Sequence, residues 1–237
     1  MQKLRINPFS DALIIIDVQP TFMPGGGLPV PGGNVIIPVI KKAIYYFSPQ
    51  CTVATLDKHP SGHISLASSY IGAKPMDVLR TADNVRLAPH AKFTWEQLKE
   101  YLSKVGNQIL WPNHGVIGTG DAELHPLLKK CDIGFFLEKG TDPACDSYSA
   151  FFDNLGRPTG LARYLREHGA KRCFFVGLAF DYCVGWSALD AVKENFEAFV
   201  IKEATRAVGS PADSVRKILE AFKKAKINMV KISDLVL

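Results

Sequence analysis

A cysteine that follows an apolar segment has the clearest capacity for chemistry in this sequence. The stretch Val176-Gly177-Leu178-Ala179-Phe180-Asp181-Tyr182-Cys183 runs from an apolar strand through a tight turn to a predicted helix start at Cys183. The positive end of a helix dipole lowers a thiol pKa from about 8.5 towards neutrality, and free N–H groups there can bind an oxyanion. The pattern therefore predicts a nucleophile; the alternative is a small buried hydrophobic residue, the interpretation kept for Cys51 and Cys173.

Two charged residues stand at the ends of other apolar segments. Asp17 follows Ala-Leu-Ile-Ile-Ile, so its carboxylate leaves a buried strand partly desolvated, an environment that favours a general base. The alternative is a structural role in capping the next turn. Lys139 follows Phe-Phe-Leu-Glu and is either a partner in the same site or an ordinary surface lysine.

A carboxylate and two imidazoles occur close together in Asp57-Lys58-His59-Pro60-Ser61-Gly62-His63. The proline and the glycine argue against a continuous helix, so the two histidines would converge through a loop. Mixed oxygen and nitrogen ligands suit Zn²⁺, Mn²⁺ or Fe²⁺. The pattern predicts a metal site. The alternative is that either histidine is a structural loop residue whose ring nitrogens are hydrogen-bonded within the protein. His114, in Trp-Pro-Asn-His-Gly, has no spacing argument of its own.

Strands and helices alternate along the chain and position these residues. Short apolar runs without polar alternation predict strands at Ala12–Ile16, Thr52–Leu56, Gly134–Leu137, Cys173–Val176, Ala198–Ile201 and Asn228–Ile232. Helical spacing predicts helices at Val35–Phe47, Leu161–His168, Cys183–Asn195 and Pro211–Lys224, the last with Ser210 as N-cap. We therefore expect a mainly parallel sheet, with Asp17, Asp57, Lys139 and Cys183 converging at the carboxyl ends of its strands.

The composition indicates a folded globular protein. Of 237 residues, 47% are hydrophobic and 22% are charged, which excludes disordered, collagen-like and coiled-coil chains. The 28 Lys plus Arg against 23 Asp plus Glu give a net charge of +5, but the basic residues are scattered, so no nucleic-acid partner is expected.

The cysteine count and the apolar segments bear on the compartment. Five cysteines form an odd set without a C-x-x-C pair, which predicts free thiols in a reducing compartment. The amino terminus lacks an apolar signal region, and the most apolar later stretch, Cys173 to Val192, is interrupted by Asp181 and Asp190. We expect no membrane partner and a cytoplasmic location.

Five motifs in order resemble the isochorismatase-like cysteine hydrolases, and within them the nicotinamidases, also called pyrazinamidases. The motifs are Asp17-Val18-Gln19-Pro20-Thr21-Phe22-Met23-Pro24-Gly25-Gly26, Asp57-x-His59-Pro60-x-x-His63, Trp111-Pro112-x-His114, Glu138-Lys139-Gly140 and Gly177-Leu178-Ala179-x-Asp181-x-Cys183. The resemblance covers nearly the whole chain. Two positions depart from it: Thr21 stands where many relatives carry an acidic residue, and Gly115 where some carry cysteine.

The resemblance implies a role for each site residue. Cys183 would be the nucleophile, Asp17 the general base and acid, and Lys139 the charged partner of the thiolate. A cis peptide between Leu178 and Ala179 would turn the N–H of Ala179 towards the oxyanion that the N–H of Cys183 also binds. The implied metal ligands are Asp57, His59, His63 and His114, and the implied substrate-binding residues are Phe22, Leu28, Trp111 and Tyr148.

The resemblance also implies the fold and the reaction. The fold would be a three-layer α/β/α sandwich around a mainly parallel sheet of about six strands. Independently of the resemblance, weak periodicity and four prolines between Gly62 and Asp132 predict an excursion at about 62–132 that covers the site, rather than a second domain, within one domain over residues 1–237. The reaction would convert nicotinamide, and also pyrazinamide, to the acid and ammonia through a thioester on Cys183, in NAD salvage. One divalent metal would serve, zinc first and iron or manganese as alternatives; a homo-oligomer stays open.

Two other functions stay open beside this one. Another carboxamide or carbamoyl hydrolase on the same scaffold would use the same Asp17, Lys139 and Cys183, although relatives of that kind lack the full Asp and His ligand set that this chain carries. A non-catalytic redox or interaction module would keep Cys183 as an oxidisable thiol, and there a substrate analogue would not protect the thiol from alkylation.

Overall fold

A six-stranded parallel sheet forms the centre of the computed structural model, which describes residues 3–237. The strands are β1 (Asp11–Ile16), β2 (Thr52–Asp57), β3 (Phe135–Lys139), β4 (Arg172–Leu178), β5 (Glu197–Arg206) and β6 (Asn228–Val230). Their order across the sheet is β3-β2-β1-β4-β5-β6. Every residue of β1 and β2 is buried, because helices or loops cover both faces of a parallel sheet.

Helices cover the two faces and make the three-layer α/β/α sandwich that was predicted. The helices are α1 (Ile37–Ile44), α2 (Trp95–Val105), α3 (Leu161–Glu167), α4 (Gly185–Lys193) and α5 (Ser214–Ala225). Leu13 and Ile15 of β1 share an apolar cluster with α1, whereas Ile14 and Ile16 share another with α3, α4 and α5. Successive strand residues point to opposite faces, so β1 is buried between both helical layers.

Short elements complete the chain. Two-residue strands pair Leu4–Arg5 with Leu235–Val236 in parallel and Val78–Leu79 with Gln108–Ile109 antiparallel. Single 3₁₀ turns lie at Pro20–Phe22, Gly33–Ile36, Pro49–Cys51, Ala67–Ser69, Gly120–Ala122, Pro126–Leu128 and Ile232–Asp234, and a wide π-type turn lies at Phe180–Val184.

The start predicted for the last long helix is wrong. Helix α5 begins at Ser214 rather than Pro211, and the Ser210–Pro211 peptide is cis. The preceding loop is held by Asp181, whose carboxylate accepts hydrogen bonds from the N–H groups of Val208 and Gly209 and from the Ser214 hydroxyl. The loop is thereby tied to the turn that carries Cys183, and the helix starts only after it.

The segment from Gly62 to Asp132 carries a helix that the sequence analysis did not predict. Helix α2 packs on a cluster of its own, which includes Leu98, Tyr101 and Leu102. A capping box opens it, since Thr94 accepts from the N–H of Gln97 and the Gln97 side chain accepts from the N–H of Thr94. The Thr-x-x-Gln spacing was the available signal. The single-domain boundary at 1–237 stays a prediction.

Loss of this cap should lower stability without altering the site. We expect Thr94→Ala to reduce the free energy of unfolding by about 1 kcal/mol, because the N–H of Gln97 in the first turn loses its side-chain acceptor. The measurement is urea unfolding followed by circular dichroism. Ser103→Ala, also on the exposed side of α2, is the control, and an unchanged midpoint in Thr94→Ala would contradict the role of the box.

Helix length and the state of the cysteines bear on the chain as a whole. Within residues 3–237 no helix has the length and apolar character needed to cross a membrane. All five cysteines lie in this part of the chain and all five are free, which confirms the expected thiols.

Candidate active site

Four neighbouring strands place the predicted catalytic and metal-binding residues at one edge of the sheet. Asp17 directly follows β1, Asp57 and Lys139 end β2 and β3, and Cys183 lies in the turn after β4. These strands are adjacent in the order β3-β2-β1-β4, so their carboxyl ends meet. All four side chains are buried, with Cys183 the most exposed at 8%.

Lys139 stands at the centre of the cluster. Its Nζ lies 2.7 Å from Asp57 Oδ1 and 3.0 Å from Asp17 Oδ2, and it donates to the carbonyl oxygen of Ser147 at 2.9 Å. The same nitrogen lies 3.5 Å from Cys183 Sγ. One buried cation therefore joins two carboxylates and the thiol, and an ordinary surface lysine is excluded for this residue.

The charged groups in the cluster shift one another's pKa values. Burial alone would lower the pKa of Lys139, but Asp17 and Asp57 outweigh it and hold this pKa well above its usual value. Burial raises the pKa of Asp17. Lys139 opposes this increase, and the neighbouring Asp57 adds to it. Asp57 keeps a pKa well below its usual range despite burial, because His59 and Lys139 favour its charge. Asp17 is thus the carboxyl group best placed to exchange a proton.

The predicted lowering of the thiol pKa is wrong. Burial raises the pKa of Cys183 well above its usual value; Lys139 opposes this effect, and Asp17 and Asp57 add to it. Cys183 lies in the π-type turn Phe180–Val184, ahead of the first turn of α4. The helical backbone does start here, directly after the kink at Tyr182, as predicted. Burial nevertheless decides the direction of the pKa shift, and the two carboxylates, distant in sequence, add to it. The thiol rests protonated and needs a base.

Three donors converge beside this cluster. Asp57 Oδ2 lies 3.1 Å from His59 Nε2 and 3.3 Å from His114 Nε2. The other ring nitrogens donate to carbonyl oxygens, His59 Nδ1 to Gly140 at 3.0 Å and His114 Nδ1 to Pro112 at 2.8 Å, which directs both Nε2 atoms to the carboxylate. A Cβ on Gly140 would lie 2.5 Å from His59 Cε1, so only glycine permits this packing.

The electrostatics of these donors favour a cation. Burial alone would lower the pKa of His59, yet Asp57 raises it overall, so the position between them stabilises positive charge. Asp57, His59 and His114 each offer one ligand atom within 4.8 Å of the others. One carboxylate and two imidazoles are a donor set for Zn²⁺, Mn²⁺ or Fe²⁺, and the residues present therefore fit a divalent metal.

The fourth predicted ligand, His63, belongs to a different group of donors. It clusters with His59 and Asp146, and its Nε2 lies 3.2 Å from the carbonyl oxygen of Cys145. Burial lowers the pKa of His63 to about 4, so the imidazole is neutral at pH 7. Asp146 was missed by the sequence analysis because it follows no predicted strand and has no motif spacing.

A narrow cavity opens between the thiol and the donors. All four predicted substrate-binding residues line it, Phe22, Leu28, Trp111 and Tyr148, together with both predicted oxyanion-hole residues, Ala179 and Cys183. The Leu178–Ala179 peptide is cis, as the resemblance implied. The cavity volume is about 30 Å³, close to that of one water molecule, so an aromatic ring enters only if side chains of the wall move apart.

Aromatic rings form the wall of this cavity. Trp111 and Tyr182 meet at 87° with centroids 4.9 Å apart, and Trp111 Nε1 donates to the Tyr148 hydroxyl at 3.2 Å. Tyr182 was missed although it adjoins Cys183; its position in the nucleophile turn was the available signal. Ser147 and Val208 also line the cavity and were not predicted. A larger cavity of about 640 Å³ shares Tyr148 but holds none of the predicted catalytic or metal residues.

Fold and site together define a class of protein: a parallel α/β protein with a buried thiol, acid and lysine beside a group of metal-binding donors. The chain belongs to the isochorismatase family, since the family model for the isochorismatase domain matches residues 11–231. It is 39% identical over 210 residues to a nicotinamidase of Acinetobacter baylyi, a match that covers 88% of this chain and 87% of that protein.

Solved structures give the same relationship. A nicotinamidase/pyrazinamidase of Acinetobacter baumanii superposes with a TM-score of 0.83 at 33% identity, covering 96% of this chain and 99% of that one. A pyrazinamidase of Pyrococcus horikoshii in complex with zinc superposes with a TM-score of 0.66 at 30% identity, covering 94% and 99%.

Proposed function

We propose that this protein is a metal-dependent cysteine amidohydrolase that converts nicotinamide to nicotinate and ammonia. The observation that carries the proposal is the contact of one buried lysine with Asp17, Asp57 and Cys183, directly beside the donors His59 and His114. The 39% identity to a nicotinamidase supports this substrate. The same pocket would accept pyrazinamide, a ring of similar size.

The first half of the reaction forms a thioester. Asp17 accepts the proton of the Cys183 thiol, and the sulfur attacks the carboxamide carbon. The N–H groups of Ala179 and Cys183 stabilise the oxyanion that develops on the carbonyl oxygen. Asp17 then returns its proton to the amide nitrogen, the C–N bond breaks, and ammonia leaves. The raised pKa values of Asp17 and Cys183 suit this exchange, since both groups hold a proton more readily than usual.

The second half regenerates the thiol. A water molecule gives a proton to Asp17 and attacks the thioester carbon. The C–S bond breaks, the acid is released, and Asp17 returns its proton to the Cys183 sulfur. Lys139 stays charged throughout, because two carboxylates surround it, and it stabilises the thiolate when the thiol loses its proton. The buried position of the cluster strengthens each of these charge interactions.

A divalent metal would be held by Asp57, His59 and His114, with His63 next to this group. We propose zinc first, with iron or manganese as alternatives. When bound, the metal supplies a Lewis acid that can take a ring nitrogen of the substrate as a ligand. Phe22, Leu28, Trp111 and Tyr148 would enclose the ring, and Trp111 and Tyr148 are already joined by a hydrogen bond.

We also propose that the reaction serves NAD salvage in the cytoplasm. The five free cysteines support a reducing compartment. The proposed partner is a small-molecule substrate, which the narrow cavity supports. The proposal includes no nucleic-acid or membrane partner. Whether the active form is a homo-oligomer is a question for light scattering.

Removal of the metal should abolish the activity reversibly. We expect purified protein to release ammonia from nicotinamide, to lose at least about 100-fold in rate after chelation, and to recover when zinc, iron or manganese is restored, because Asp57, His59 and His114 have lost their shared cation. Ammonia is measured with a coupled glutamate dehydrogenase assay, and acetamide serves as a substrate without a ring.

The outcomes of this assay separate the candidate functions. No ammonia from metal-loaded protein would overturn nicotinamide hydrolysis and direct the search to other carboxamides and carbamoyl compounds. Unchanged rates after complete chelation would overturn the metal requirement. If nicotinaldehyde leaves Cys183 open to alkylation, the redox module gains support.

A further inference from the structure

The turn that follows β1 contains two buried polar side chains that the proposed reaction does not use. They are Gln19 and Thr21, and neither has measurable solvent exposure. Both lie within four residues of Asp17, and both reach across to segments that carry metal donors. Every hydrogen bond that they make there is to the backbone, so their effect is on position.

Gln19 brackets the backbone of Asp57 from both sides. Its Oε1 accepts from the Asp57 N–H at 2.8 Å, and its Nε2 donates to the Asp57 carbonyl oxygen at 2.9 Å. The second hydrogen of Nε2 goes to the carbonyl oxygen of Ala122 at 2.8 Å. Gln19 thus continues the sheet where β1 has ended, and it holds Asp57 at a set distance from Asp17.

Thr21 holds the histidine segments through a single residue, Gly115. Its hydroxyl oxygen accepts from the Gly115 N–H at 3.1 Å, directly after His114. The carbonyl oxygen of Gly115 accepts from the N–H of His59 at 2.8 Å. A Cβ on Gly115 would lie 2.4 Å from the Asp57 carbonyl oxygen, so Gly115 is also packed closely against the third donor residue.

We propose that Gln19 and Thr21 are positioning residues for the metal site, and that through them the turn carrying Asp17 sets the spacing of Asp57, His59 and His114. The inference rests on the metal site of the proposed function. It also explains why threonine stands at position 21, where many relatives carry an acidic residue. The threonine hydroxyl accepts one hydrogen bond from a neutral N–H, and that contact suffices to hold the loop in place. Groups of this kind behind metal ligands typically change metal affinity 10–100-fold.

Zinc affinity of the metal-free protein, measured by competition with a chromophoric chelator and without substrate, tests the proposal. We expect Thr21→Val to weaken zinc binding about 10-fold and Gln19→Met to weaken it 10–100-fold. Thr21→Ser keeps the acceptor and should restore affinity to within about threefold of the original protein. The near-equal volumes of Thr and Val make the hydroxyl the main difference.

Thr52→Val is the matched control. Thr52 is also fully buried, and its hydroxyl donates to the Ser48 carbonyl oxygen at 2.9 Å, but it begins β2, at the opposite end from Asp57. We expect its unfolding temperature to fall as that of Thr21→Val does, with zinc affinity unchanged. If Gln19→Met fails to fold, the three threonine variants decide.

Two results would overturn the proposal. One is a zinc affinity in Thr21→Val equal to that of the original protein. The other is an equal loss of zinc affinity in Thr21→Val and Thr52→Val, which would show that the loss follows from lower overall stability. An original protein without divalent-metal binding overturns the metal site and this inference together. Failure to hydrolyse nicotinamide overturns only the proposed substrate, since no substrate enters the binding measurement.

Discussion

Replacing Cys183 by alanine should lower kcat for ammonia release from nicotinamide by about 10⁴-fold or more, while the protein stays folded. The thiol is the group that we propose to bond with the carboxamide carbon, and no other cysteine lines the cavity within the described residues 3–237. Loss of a nucleophile typically removes several powers of ten, leaving what binding and oxyanion stabilisation supply. The coupled ammonia assay and circular dichroism are the measurements.

The matched control is Cys173→Ala. Cys173 is fully buried in β4, the strand that leads to Cys183, and burial raises its thiol pKa above the usual value. Its removal leaves a small cavity in the core, so stability should fall while kcat stays within about twofold. More than one hundredth of the original kcat in Cys183→Ala would contradict the nucleophile.

Replacing Lys139 by methionine should have the second large effect, on activity and on stability together. Methionine matches the length of the lysine stem, but Asp17 and Asp57 lose the cation that lies 3.0 Å and 2.7 Å from them. Removing one partner from a buried ion pair typically destabilises by about 3–5 kcal/mol, because the remaining charge is left without compensation. We expect a similar loss here and ammonia release near background.

The loss in Lys139→Met should depend on pH. Burial already raises the pKa of Asp17 in the original protein, and without Lys139 the repulsion from Asp57 raises it further. A folded-state pKa above the unfolded value means that protonation favours the folded state. Stability of the variant relative to the original protein is therefore greatest at acid pH and falls as pH rises through the folded-state pKa of Asp17. Urea unfolding between pH 5 and pH 8 gives the sign.

Lys58→Met is the control for this variant. Lys58 is next to Asp57 in the chain, but its partners Glu123 and Glu138 are about half exposed. An exposed pair of this kind contributes less than about 1 kcal/mol. Equal losses of stability in Lys58→Met and Lys139→Met would contradict the central place of Lys139 in the buried cluster.

The strands of the sheet were predictable because their sequences have no polar alternation. Segments such as Ala-Leu-Ile-Ile-Ile lie between two helical layers. A run that is apolar on both faces of a strand is compatible with few other structures. Parallel order then brings the carboxyl ends together, so the neighbourhood of Asp17, Asp57, Lys139 and Cys183 followed from topology. The motif spacing added the resemblance, which the match to the isochorismatase family confirms.

Properties that depend on distant neighbours were not predictable. The direction of the Cys183 pKa shift depends on burial and on carboxylates from two other strands, which a local helix-dipole argument omits. Gln19 and Asp146 are ordinary residues by spacing, and only the folded chain shows what they touch. Tyr182, in contrast, had a signal in its position beside Cys183. Helix α2 was also predictable, since Leu98, Tyr101 and Leu102 follow the capping Thr94 at helical spacing.

The order of the strands has a consequence for how the protein acquires activity during folding. Neighbouring strands β1 and β4 are separated by most of the chain, and every pairing in the central sheet is parallel and needs a long connection. Such contacts are formed late, since the entropy of closing each connection is lost before the contact stabilises anything. Asp17 leaves the ribosome long before Cys183, so the cluster exists only once β4 has paired with β1. Recovered ammonia release after dilution from denaturant would therefore report the assembly of the four strands from β3 to β4 in the sheet order.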